Sequence, residues 1–175
     1  MNRAFVIAVV CALCNFPVGV AQNPPAVEPH QADLEAVILK FHDLRMQDKV
    51  NEITFTRDAL QRLKEMPGKL AGLDAEKRKK FLGHVEEAYG IFPGPSQYKE
   101  EILPLLIGNL RGEPLPREGT RLQRDIIKQG GGRFDGMVRE ALHFINEKRD
   151  FLLAQQKKLR EEIDGVEKTR KRPGS

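Results

Sequence analysis

The stretch from Phe134 to Val166, FDGMVREALHFINEKRDFLLAQQKKLREEIDGV, decides the fold. From Phe134 the positions Val138, Ala141, Ile145, Lys148, Leu152, Gln155, Leu159, Glu162 and Val166 advance by alternating steps of four and three. That is a heptad seam, and it predicts one continuous helix over 134–166 that must lie against a partner. Lys148, Gln155 and Glu162 make the seam partly polar, which suits a helix leaving the body of the protein or facing a loose partner.

The partner is supplied by the N-terminal half. From Gln31 to Met66 there is neither Gly nor Pro, and Leu34, Val37, Phe41, Leu44, Val50, Ile53, Leu60 and Leu63 recur mostly at helical spacings. These positions predict a long amphipathic helix that buries them. Thr54-Phe55-Thr56 lowers helix preference through β-branching, so a kink or brief interruption is expected there. Met66-Pro67-Gly68 is the expected stop.

Between the two long helices the punctuation predicts three shorter ones. Asp74 is placed to cap a helix over 75–89, with Phe81, Leu82, Val85, Ala88 and Tyr89 on one face and Gly90 closing it. After the turn Pro93-Gly94-Pro95, Ser96 is the expected cap of an apolar helix through Ile102 to Leu110, kinked by Pro104 unless it begins near there. Residues 112–119 read as a loop, and Thr120 as the cap of a helix carrying Leu122, Ile126 and Ile127. The expected fold is therefore all-α: two long antiparallel helices, about 31–66 and 134–166, with two or three shorter helices packed at one end. A compact four-helix bundle is the alternative.

Gly130-Gly131-Gly132, between Lys128 and Arg133, raises the question of a phosphate cradle. A Walker-type loop needs Gly-x-x-x-x-Gly-Lys-Ser/Thr after a strand, whereas these glycines follow a helix and no Lys-Ser/Thr occurs. Asp135, the natural cap of the next helix, would also put a carboxylate where an anion would sit. The run is expected to stop a helix at Gly130 and reverse the chain as a hinge.

The first 21 residues, MNRAFVIAVVCALCNFPVGVA, follow the plan of an export signal. Arg3 gives the basic start, Ala4 to Leu13 the apolar run, and Gly19-Val20-Ala21 the small-x-small cleavage site. The run is too short for a spanning helix, so cleavage after Ala21 is expected, with an uncleaved N-terminal membrane anchor as the alternative. A Pro-rich linker at 22–30, a single helical domain at 31–166 and a basic flexible tail at 167–175 would follow. The Cys11-x-x-Cys14 spacing falls in the segment to be removed, leaving the mature chain without cysteine. That excludes thiol catalysis and zinc–thiolate sites from the mature protein, and its stability must come from packing.

Charge is uneven along the chain. Removing Arg3 from 29 basic residues leaves 28 against 25 acidic, and segment 165–175 holds four basic residues against Glu167, so 22–164 balances at 24 and 24. With no Trp and two Tyr, a nucleic-acid partner is not expected. The cluster Lys77-Arg78-Lys79-Lys80 reads as a solvated helix start flanked by Glu76, Glu86 and Glu87.

Of four histidines, His30, His42, His84 and His143, only the last forms a recognisable constellation: Glu140 and His143 share one helix face, with His84 and Glu87 in the reverse order. A carboxylate-bridged di-metal bundle needs two Glu-x-x-His pairs and two more inward carboxylates, so no catalytic, cofactor or metal residue is assigned. Ser96 is better used as a cap than as a nucleophile. The expectation is an exported helical interaction or scaffold protein of the cell envelope or extracellular space that works by binding a protein partner. One alternative is a metal-dependent bundle using Glu140 and His143. Another is peripheral attachment to anionic lipid or polymer through Lys168, Arg170, Lys171 and Arg172. Intact-mass measurement on protein recovered outside the cytoplasm should give a chain starting at Gln22; a mass retaining residues 1–21 would assign the anchor instead.

Overall fold

The computed structural model describes residues 29–91 and 94–170, with side chains described from Asp33 through Thr169. The expected export signal at 1–21, most of the expected linker, and Lys171 and Arg172 of the expected tail lie outside the described residues. The chain forms α1 (Pro29–Leu63), α2 (Met66–Leu70), α3 (Ala75–Ile91), a π-helical turn (Tyr98–Ile102), α4 (Leu103–Arg111), α5 (Arg121–Gln129) and α6 (Phe134–Arg170). The fold is all-α. At 1.5 Å per residue the 35 residues of α1 extend about 52 Å.

α1 and α6 run antiparallel along each other, as three cross-links show. Lys40 Nζ lies 2.6 Å from Glu167 Oε1, Arg160 Nε donates to Asp43 Oδ1 at 3.0 Å, and Gln156 Nε2 donates to Gln47 Oε1 at 2.8 Å. The short helices gather at one end of this pair. There Ile53, Leu60 and Leu63 of α1 meet Met137, Val138, Ala141 and Ile145 of α6, with Tyr98, Ile102, Leu106, Ile107 and Ile126 completing one core.

Several boundaries follow from local chemistry. α1 passes uninterrupted through Thr54-Phe55-Thr56, because both threonine hydroxyls donate back to carbonyls one turn earlier, Thr54 to Val50 at 2.7 Å and Thr56 to Glu52 at 2.9 Å. This satisfies both hydroxyls within the helix, and burial of Ile53, Thr56, Ala59 and Leu60 offsets the β-branching cost. Pro67 does not end α1; it opens α2, where a missing N–H is harmless. Asp74 caps α3 as expected, its Oδ1 accepting the Lys77 amide at 2.8 Å. That bond, followed by the Lys77 side chain, holds the Asp74 carboxyl below its ordinary value, so the cap's contribution is complete above the usual carboxylate range and fades as pH falls through the lowered value. α3 runs through Gly90 to Ile91.

Pro104 explains the π turn. It has no N–H to give Glu100, and its ring would crowd that carbonyl, so the preceding turn widens and the Leu103 amide reaches Tyr98 O instead. Ser96 therefore sits inside the first turn and not at a cap, and the Tyr98 and Lys99 amides bond to Pro95 O at 2.9 and 3.3 Å. Thr120 caps α5 in a reciprocal box with Gln123, as the spacing predicts.

The seam of α6 changes register midway. Val138, Ala141 and Ile145 are buried as predicted, and Lys148 donates to Gln97 Oε1 at 2.6 Å. Beyond Leu152, however, Gln156 is buried where Gln155 was expected, and Ile163 is partly covered where Glu162, in fact exposed, was expected. Two successive steps of four, 148 to 152 to 156, form a stutter that locally unwinds the pair. The stutter exchanges a glutamate for an isoleucine on the α1 side.

The three glycines are settled by geometry. α5 stops at Gly130, while Gly131 and Gly132 have φ of +65° and +68°, the left-handed region that glycine enters without strain. A Cβ on Gly130 would lie 2.6 Å from the Met137 amide nitrogen, and one on Gly136 would strike the Gly130 carbonyl. The reversal is a close-packed corner, not an open hinge: Gly130 N donates to Ile126 O and Gly132 N to Ile127 O, both at 2.9 Å. α6 begins at Phe134, which puts Asp135 in its first turn and not at the cap.

Two substitutions report on this packing. Gly136→Ala should destabilise the fold by about 1–3 kcal/mol, since the obstruction is backbone that cannot rotate away. Tyr98 is the opposite case: it is 1% exposed and its hydroxyl has no hydrogen-bond partner among the described residues, and burial pushes its pKa up. Tyr98→Phe should therefore leave stability unchanged or raise it by up to about 1 kcal/mol. Chemical denaturation of both variants checks the pair; a marked loss in Tyr98→Phe would require a partner for the hydroxyl.

Candidate functional site

Glu140 and His143 do share one face of α6. They help to line a cleft of about 530 Å³ against α5 and the π turn, together with Glu101, Asp125, Phe144 and Glu147. Each charged group there is engaged locally. His143 Nε2 lies 3.3 Å from Glu147 Oε1, Glu140 Oε1 accepts from Arg139 Nε at 3.2 Å, and Arg121 Nε is 3.8 Å from Asp125 Oδ2. The Thr120 hydroxyl donates to the Glu101 carboxylate. His84 and Glu87 are exposed on α3, which packs on α4, so they are not joined to Glu140 and His143. Among the described residues no group of three or more His, Cys, Asp or Glu is placed to hold a metal ion. The cleft is open and acidic, and its hydroxyl–carboxylate pair, Thr120 with Glu101, sits at the cap of α5.

The outer surface of α1 departs further from expectation. At 100° per residue, Ala36, Leu39, Asp43, Val50 and Ile53 fall on the side that meets α6. Leu34, Val37, Ile38, Phe41 and Leu44 fall on the opposite side and remain 61, 63, 47, 58 and 65% exposed. The spacing alone puts Leu34, Val37, Phe41 and Leu44 on one buried face with Val50, Ile53, Leu60 and Leu63. The missed signal is the six-residue step from Leu44 to Val50, which rotates the pattern by about 240° and so transfers it to another face. Before that step α1 is apolar on two opposite sides, α6 covering only one.

Five adjacent aliphatic and aromatic side chains over three turns form a contiguous apolar stripe in the several-hundred Å² class that marks interaction sites on soluble proteins. Phe41 packs edge-on against His42, with ring centroids 6.5 Å apart at 63°. Asp48 interrupts the stripe on its C-terminal side, and Phe55, 54% exposed, continues the same spacing beyond it. A stripe of this width on a helix suits another helix laid along it.

The charged segments are less organised. Lys77 pairs with Asp74 at 2.9 Å and Arg78 donates to Leu70 O at 3.3 Å, which spends half of that basic cluster on closing the α2–α3 turn. Lys168 is exposed near the end of α6. No helix among the described residues is long and apolar enough to cross a membrane. No family model, no curated protein and no solved structure matches the chain.

Proposed function

We propose that the protein is an exported helical interaction or scaffold protein of the cell envelope or extracellular space, working by binding a protein partner and not by catalysis. One observation carries this reading: the exposed stripe Leu34, Val37, Ile38, Phe41 and Leu44 on the side of α1 facing away from α6. Each large apolar side chain left in water forgoes about 1.5–3 kcal/mol of burial, so a partner covering the stripe gains substantial driving force. The seam of α6, in contrast, is spent within the chain on α1, so the binding surface is the outer face of the helical pair.

A photo-crosslinking residue placed at Val37 should yield a covalent adduct of discrete mass in the producing cells. The same residue at Lys79, exposed on α3, should not. Absence of any adduct at position 37, or equal adducts at both positions, would overturn the binding reading. Circular dichroism on each variant checks that the helices persist.

A further inference from the structure

We infer that the partner lying on the α1 stripe is a second copy of this chain, docked antiparallel through the same stripe. This rests on the binding reading above and specifies its occupant.

The stripe is self-complementary about its own centre. With a two-fold axis midway between Leu34 and Leu44, Leu34 of one copy faces Leu44 of the other and Val37 faces Phe41, while Ile38 falls opposite the aliphatic stem of Lys40. A two-fold interface is isologous, which a stripe of this symmetry satisfies without a second surface. Steps of three and four residues from Leu34 to Leu44 are those by which two helices interlock over a short seam.

Charge selects the antiparallel sense. In a parallel, in-register pair Asp48 of each copy would lie beside Asp48 of the other, and the two helix dipoles would point the same way. In the antiparallel pair Asp48 lies level with the first turn of the other copy's α1, where free amides and the positive end of the dipole favour a carboxylate. Lys40, at the edge of the stripe near the two-fold axis, has its charge balanced by Glu167 of its own chain at 2.6 Å, so the two copies of Lys40 meet as ion pairs and not as bare cations.

Two such stripes face to face bury on the order of 1,000 Å² in total, the lower limit for a specific interface, which places the pair among weak, reversible associations. The product is a single layer of four helices, α6–α1–α1–α6, with the short-helix ends pointing in opposite directions.

Sedimentation of the purified chain from micromolar to submillimolar concentration tests this. The expected result is a monomer–dimer equilibrium that Val37→Asp with Phe41→Asp abolishes, raising Kd at least about 100-fold by burying charge. Both sites are exposed, and unchanged circular dichroism separates lost association from lost folding. Asp48→Asn should weaken the dimer by about fivefold through loss of two helix-end contacts; a tighter dimer would signal parallel pairing and overturn the proposed arrangement. A chain that stays monomeric throughout overturns self-docking. If it does so while the Val37 crosslinker captures a protein of other mass, a different protein occupies the stripe and the binding reading stands. If it does so with the stripe protected from hydroxyl-radical labelling, the chain's own N-terminal segment covers it.

Discussion

The close approach of Gly130 to Gly136 is the contact on which the rest of the molecule depends. α5 ends and α6 begins within a few residues, and the two backbones touch where even a methyl group would collide. This contact sets the direction in which α6 leaves the corner, and α6 in turn supplies the surface along which α1 lies. Because the obstruction involves main-chain atoms on both sides, no rotamer change relieves it. The two left-handed residues that follow Gly130 make the same turn accessible to glycine and costly for other residues. A run that resembles a phosphate loop in composition thus serves as the corner of a helical hairpin.

α1 is shaped by two demands that change along its length. In its C-terminal half it is a core helix, with Leu60 and Leu63 fully buried among α6 and the short helices. In its N-terminal half only α6 is beside it, and a polar ladder of Asp43, Gln47, Gln156 and Arg160 occupies much of that contact. Most large apolar residues of that half have therefore been moved to the other side, where the chain itself offers nothing to cover them. Satisfied polar pairs between the helices fix their alignment more than they add net stability. The apolar side chains that could have strengthened the pair instead face outward.

The fold was largely legible because helix signals are local. The heptad spacing of 134–166, the gap free of Gly and Pro from Gln31 to Met66, the caps at Asp74 and Thr120 and the stop at Gly130 each act within one or two turns, and each is found where the spacing places it. What failed was whatever depends on a neighbour distant in sequence. The stutter at Leu152–Gln156 exists because Gln47 lies opposite, more than 100 residues away. The two-sided character of α1 was hidden by treating Leu44 and Val50 as successive members of one face, although six residues is not a whole number of turns. Pro67 and Ser96 misled for another reason: both residues suit either a boundary or a first turn, and the choice between these lies with the packing of Met66 and Tyr98 beneath them.

The polar ladder also gives the molecule a gradient of local stability. Between Ala36 and Val50 on α1, and beyond Leu152 on α6 apart from Gln156, the described residues of the hairpin are only partly covered or exposed, whereas the other end is tied to the full core. Opening the distal helices breaks a few solvent-accessible hydrogen bonds and ion pairs and leaves the core intact, so it costs a fraction of global unfolding. Amide protons in the outer halves of α1 and α6 therefore exchange through local fluctuation, and those around Leu60 and Ile145 only through complete unfolding. The two long helices are thus a pair of arms on a firm base, able to adjust their spacing without disturbing the glycine corner that aims them.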